Sequence, residues 1–148
     1  MAKLRNDADP NPRVGAWIAE LYFAKDATER QNAIDMLVGL VGTTEFKDGD
    51  IFEALQAAGG EAAIPSIAKF LKTGTTRQRS DAINALAAIG SKEAIPYLEQ
   101  LEADLKSESE AAKSDTKNEE GPAFLEDLDY AYMHKHLAEA LWKLRKVH

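Results

Sequence analysis

Cysteine is absent from the 148 residues, which removes disulfides and thiolate metal sites and favours a reducing compartment. Long apolar runs are absent too, none approaching the roughly 18 residues needed to cross a bilayer. Residues 1–12 are polar, with Asp7, Asp9 and two prolines, and do not read as a signal peptide. Together these absences predict a soluble cytoplasmic protein with no membrane partner. Strand-like runs of Val, Ile, Thr and aromatics are missing, whereas Ala, Leu, Glu, Lys and Gln abound, so the predicted class is all-α. A basic excess is missing as well. The net charge is −7, and phosphate-backbone affinity needs clustered Lys and Arg, so no nucleic acid is expected.

Catalytic signatures are also lacking. There is no Gly-x-Ser-x-Gly elbow, no phosphate-cradling Gly loop and no His-Glu-x-x-His. Lys47-Asp48-Gly49-Asp50 has a passing likeness to a calcium loop without its later ligands, and reads as a turn feeding a helix cap. His134 and His136 lie two apart, and on a helix such residues point about 200° away from each other, so they cannot share one ion. No metal, no cofactor and no enzymatic activity are expected.

What is present is repetition. Ala62-Ala63-Ile64-Pro65-Ser66-Ile67 and Glu93-Ala94-Ile95-Pro96-Tyr97-Leu98 recur thirty-one residues apart. A helix start recurring at fixed period marks stacked helix pairs. The middle pair, 61–90, is the clearest. Its first helix runs from about Glu61 to Lys72 with Pro65 in the first turn, where the missing N–H is harmless, and buries Ile64, Ile67, Ala68 and Leu71. Gly74 ends it. Thr75 with Gln78 forms a capping box for the second helix, whose stripe is Ala82, Ile83, Leu86 and Ile89 before Gly90. Ser91 caps the next helix.

A first pair, about 12–42, follows the same plan. Its first helix opens at Asn11-Pro12 and buries Val14, Ile18 and Leu21, with Trp17 in the core; residues 1–11 are expected to be flexible. Its second helix starts with a capping box of Asp26 and Glu29, and Val41-Gly42 answers Ile89-Gly90. Residues 43–60 add a short helix capped by Asp50 with Glu53 and ended by Gly59-Gly60. The third pair, about 91–146, is split by an acidic insertion at about 106–129. Between 102 and 129 ten acids face three lysines, which accounts for the whole net charge. The first helix of this pair, with the stripe Leu98, Leu101 and Leu105, is expected to run on as a polar extension that frays or becomes disordered over 107–121. Glu119-Glu120-Gly121-Pro122 breaks it. A last helix from about Pro122 to Lys146 is expected to turn Phe124, Leu128, Tyr132, Leu137, Leu141 and Leu144 inward.

Ala-Ile-Pro opening a first helix, Arg-x-x-Ala starting a second (Arg30, Arg79) and an Ile-Gly ending together resemble the HEAT-like repeat of the phycobilisome-lyase type. The resemblance extends over about 12–146 and is strongest over 61–101. It implies an α-α superhelix, a short α-solenoid of about three HEAT-like repeats. Such repeats often carry an Asp four residues before the Arg. Asp26 before Arg30 fits, whereas Thr75 before Arg79 and Tyr130 before His134 depart from it, which suggests the third repeat as a terminal cap. The resemblance further implies that Arg30 and Arg79 fix helix stacking by pairing with neighbouring carboxylates, Asp26 and Asp81.

The second helices of such stacks line the surface that usually binds. A helical wheel puts Asp35, Arg77, Asn84, Tyr132, Lys135, Glu139 and Trp142 on that face, beside Thr28, Gln31, Ser80 and Lys143. Mixed charge with aromatics suits a protein ligand, so the expected function is a protein-interaction scaffold. Exposed ends of the stack are a further surface, for self-association. The other reading takes the family name literally: a component of a bilin lyase or a chaperone-like factor acting on a tetrapyrrole-bearing protein, with Arg77, Arg79 and Trp142 as ligand contacts.

Overall fold

The computed structural model describes residues 10–43, 48–114 and 124–146. Within them the chain forms seven α-helices: α1 (Pro10–Tyr22), α2 (Ala27–Leu40), α3 (Asp48–Ala54), α4 (Ile64–Thr73), α5 (Thr76–Ile89), α6 (Ile95–Ser114) and α7 (Phe124–Arg145). A π-helical turn, Leu55–Gly59, and a 3₁₀ turn, Gly60–Ala63, join α3 to α4; a second 3₁₀ turn, Lys92–Ala94, leads into α6. No strand occurs among the described residues, and no helix there is long and apolar enough to cross a membrane.

The helix boundaries follow local chemistry. Thr75 Oγ1 accepts the Gln78 N–H at 3.2 Å while Gln78 Oε1 accepts the Thr75 N–H at 3.0 Å, so α5 starts with the expected capping box. It stops at Gly90, whose φ of 75° is left-handed and strained for any residue with a Cβ. Ser91 caps the 3₁₀ turn by accepting the Glu93 N–H at 3.2 Å. The start of α2 differs from the expected box. Asp26 Oδ1 accepts the Glu29 N–H at 2.8 Å, but Glu29 reaches one residue further, to the Lys25 N–H at 2.8 Å. Helix α1 opens at Pro10, ahead of the Asn11-Pro12 start.

Asp50 does not cap α3, which already begins at Asp48. The Asp48 carboxylate instead accepts the Gly42 N–H at 2.8 Å and ties the start of α3 to the turn after α2. Gly59-Gly60 does end this segment. A Cβ on Gly59 would come within 2.8 Å of the Ala63 Cβ and 3.5 Å of the Ile34 side chain, so the glycine lets the π turn press against α2.

One core runs through the molecule: Val14, Trp17 and Leu21; Ile34 and Leu37; Ile51 and Leu55; Ile64, Ile67 and Leu71; Ile83 and Leu86; Leu98, Leu101 and Leu105; Met133, Leu137, Leu141 and Leu144. Phe52 and Phe70 meet edge to face at 5.3 Å between α3 and α4. Two inward assignments change on α7. Met133 is fully buried, and Tyr132, one residue away and therefore about 100° around the helix, is 56% exposed. The side chains of Phe124 and Leu128 lie outside the described set. Helix α6 continues unbroken to Ser114, beyond the expected onset of fraying at Ser107; the Glu119-Glu120-Gly121-Pro122 breaker and residues 1–9 lie outside the described residues.

The helices pack against one another, and α5 stands at the centre. It lies against α4 and α7, and also against α3 with its π turn, whereas α2 packs mainly on α1 and touches α4. The short added helix thus occupies the flank of α5 where an uninterrupted ladder of second helices would place α2.

Candidate functional site

A recess of about 310 Å³ opens between α5 and α7, lined by Thr76, Arg77, Ser80, Asp81, Asn84 and Tyr132. Five of these come from α5 at spacings of three and four, which places them along one face, opposite the buried Ala82 and Leu86. Ser80 sits deepest, at 8% exposure. Tyr132 forms the far wall from α7, its ring resting on His136 at 4.0 Å, one helical turn on. His134 stacks likewise on Tyr130, at 4.7 Å. The two histidines are directed apart as their spacing requires, each against its own tyrosine.

The electrostatics centre on Asp81. Burial raises its pKa above the ordinary carboxylate value, Arg77 opposes that shift, and Asp48 adds to it from the start of α3. The recess therefore offers a guanidinium, three hydroxyls and an amide as donors, set around one carboxylate that is reluctant to ionise. Chemically, the recess can both donate hydrogen bonds to and accept them from a polar group placed in it.

The expected residues divide over several surfaces. Arg77, Asn84 and Tyr132 are brought together in the recess. Asp35 lies elsewhere, in a wide depression on α2 with Ala27, Thr28, Gln31 and Asn32, where its carboxylate accepts from the Gln31 amide at 2.9 Å. Lys135 and Glu139 are exposed on α7, and Trp142 is 62% exposed beneath Lys146, whose Nζ lies 3.6 Å from the ring centroid. None of these three lines the recess. Arg77, Arg79 and Trp142, the ligand contacts of the bilin reading, stand on three separate surfaces.

The expected polar pairs take other forms. Asp26 spends its carboxylate on capping α2, and Arg30 bonds to it through the backbone, N–H to carbonyl, at 3.1 Å. Arg79 does not pair with Asp81, because residues two apart on a helix diverge; Asp81 faces Arg77, four residues before it. Arg79 Nη2 donates instead to the Lys72 carbonyl at 3.3 Å, placing a cation at the C-terminus of α4, where the helix dipole favours it. The roles of Thr76, Asp81 and Asp48 in or beside the recess were missed. The i, i+4 spacing of Arg77 and Asp81 was the available signal for Asp81, while Asp48 arrives by tertiary contact alone.

No curated protein and no solved structure matches the chain. A family model does match, the PBS lyase HEAT-like repeat, over residues 78–104. That stretch runs from Gln78 near the start of α5, through the Ile89-Gly90 ending and the Ile95-Pro96 opening, to Asp104 on α6, and so includes the second copy of the recurring helix start, while the first, Ala62 to Ile67, precedes it. Over residues 78–104 the chain is thus similar to the PBS lyase HEAT-like repeat.

Proposed function

We propose that this chain is a non-enzymatic scaffold that binds a protein partner on the face formed by α5 and α7. The observation that supports it is the recess itself, which draws Arg77 and Asn84 from one helix pair and Tyr132 from the next into a single polar concavity. Arg and Tyr are the residue types that most often dominate binding energy, and Tyr132 presents its ring with little rotamer freedom to lose. Asp35, on its separate helix, falls outside this patch.

The test is a pull-down from native cell extract with wild type, an Arg77→Glu/Tyr132→Ala double variant and a Lys135→Glu variant, followed by calorimetry on any captured protein. The recess reading expects the double variant to weaken binding at least about tenfold and Lys135→Glu to change it little. Equal capture by wild type and the double variant would remove the recess from the binding surface.

A further inference from the structure

The polar side chains of α5 and its cap divide into two sets. Those outside the recess are used within the chain: Thr75 and Gln78 complete the capping box, and Arg79 Nη2 donates to the Lys72 carbonyl. Those lining the recess are not. The side chains of Thr76, Arg77, Ser80, Asp81 and Asn84 make no hydrogen bond or ion pair with another described residue, and neither does the Tyr132 hydroxyl. Ser80 carries the most weight among them. At 8% exposure it is more than nine-tenths buried, yet its hydroxyl does not bond back to the preceding turn, as that of Thr73 does to the Lys69 carbonyl. It forms the floor of the recess instead. A buried hydroxyl without a partner favours a ligand that supplies one.

The lining then selects among occupants. Arg77 and the hydroxyls call for an acceptor, and the Asp81 carboxylate calls for a donor. A carboxylate ligand would satisfy Arg77 but would lie against Asp81, within a field to which Asp48 adds, and would bring Asp81 no donor. An ammonium or guanidinium would satisfy Asp81 but meet Arg77, and would leave the Arg77 N–H groups without an acceptor. An apolar side chain would strip water from both. A neutral group with an acceptor and a donor side by side serves both at once, with no like-charge contact. The spacing suits such a group. Arg77 and Asp81 are one helical turn apart, about 6 Å along the axis of α5, and Ser80 lies on the same face between them.

We infer that the recess receives a primary carboxamide, the side chain of a glutamine or asparagine on the protein partner. Its oxygen accepts from Arg77, its NH₂ donates to Asp81, and the Ser80 hydroxyl bonds to either atom from the floor. The Tyr132 ring stands as a flat wall beside the flat amide. The carboxamide assignment rests on the reading of the recess as the partner-binding surface, and adds to it the chemical group which that surface selects.

The probe is N-acetyl-glutamine N-methylamide, whose stem of two methylenes carries the amide clear of the backbone, titrated into the ¹⁵N-labelled full chain. Its controls are the glutamate, lysine and leucine analogues, which keep the backbone and replace the amide by an anion, a cation or an apolar group. The expected result is saturable shifts at Ser80, Asp81 and Asn84 with the glutamine analogue. Its dissociation constant is expected on the order of 1–10 mM, the range open to a ligand of this size. The three controls are expected to bind at least about fivefold more weakly. Asp81→Asn is expected to weaken the glutamine analogue about threefold and to strengthen the glutamate analogue by a similar factor. Arg77→Met is expected to shift the preference toward the lysine analogue in the same way. Loss of structure weakens every ligand together, so an exchange of preferences separates recognition from misfolding.

A glutamate or lysine analogue that matches the glutamine one on wild type would overturn the carboxamide assignment and leave the recess as the partner surface. A leucine analogue of equal affinity would assign the response to the backbone, and would overturn it too. So would the lack of any saturable shift at the recess up to about 50 mM of every analogue. The broader reading is judged apart from these, by whether the Arg77→Glu/Tyr132→Ala double variant loses the captured partner.

Discussion

Asp81 shows how a single side chain is set by what three helices bring to it. Its folded pKa lies above the ordinary 3.8 because burial outweighs the attraction of Arg77. Between the unfolded and folded values the folded chain holds more protons, so stability falls as pH rises through that window, and the deficit is complete above the folded value. Asp81→Asn is therefore expected to raise the urea midpoint at neutral pH, with the gain shrinking toward zero as the pH is lowered to the ordinary carboxylate value. A gain that stays constant with pH would contradict this origin. Gly59 is the steric counterpart. A methyl group there meets the Ala63 Cβ at 2.8 Å, so Gly59→Ala is expected to destabilise by about 1–3 kcal/mol, read from the denaturant midpoint. The need for a glycine at this turn was legible, whereas its cause, the approach of Ala63 and Ile34, depends on helices folding back.

Elements were the most legible level, because caps and stripes are local. Thr75-Thr76-Arg77-Gln78 contains both halves of its capping box within four residues, and the structure realises both hydrogen bonds. Thr75→Ala is expected to cost about 1 kcal/mol, which at this chain length lowers the melting temperature by roughly 2–4 °C. A scanning melt on the purified variant checks it. Asp48 shows the limit. Asp50 was the expected cap, but the helix opens at Asp48, whose carboxylate accepts the Gly42 N–H delivered by the preceding turn, a contact that no local pattern announces. Tyr132 and Met133 show another. Neighbours on a long helix differ by about 100°, so an error of one position in the wheel exchanges a core residue for a surface one. Where helices meet through exposed charges little energy is at stake: Arg145 and Glu99, 3.2 Å apart and both half exposed, contribute at most about 1 kcal/mol.

For the whole molecule, the sequence pattern pointed to packed helices but not to which helix covers which. The apolar stripe of α5 is plain from Ala82 to Ile89, yet nothing in it says that α3, rather than α2, lies alongside. That substitution is why Asp35 was grouped with residues from which the structure separates it. It also gives α5 neighbours in α3, α4 and α7, with openings beside Arg77 and Arg79. Local opening starts where few apolar contacts must be broken, so amide exchange is expected to be slowest in the middle of α5, around Ile83 to Leu86, and faster in α1 and in the outer turns of α7. Exchange measured by mass spectrometry on peptic fragments would show that gradient, and a uniform rate across the helices would refute it. Five of the six residues that line the recess thus sit on the helix that lets go last, so fraying of the outer helices would exhaust itself before most of that wall was lost.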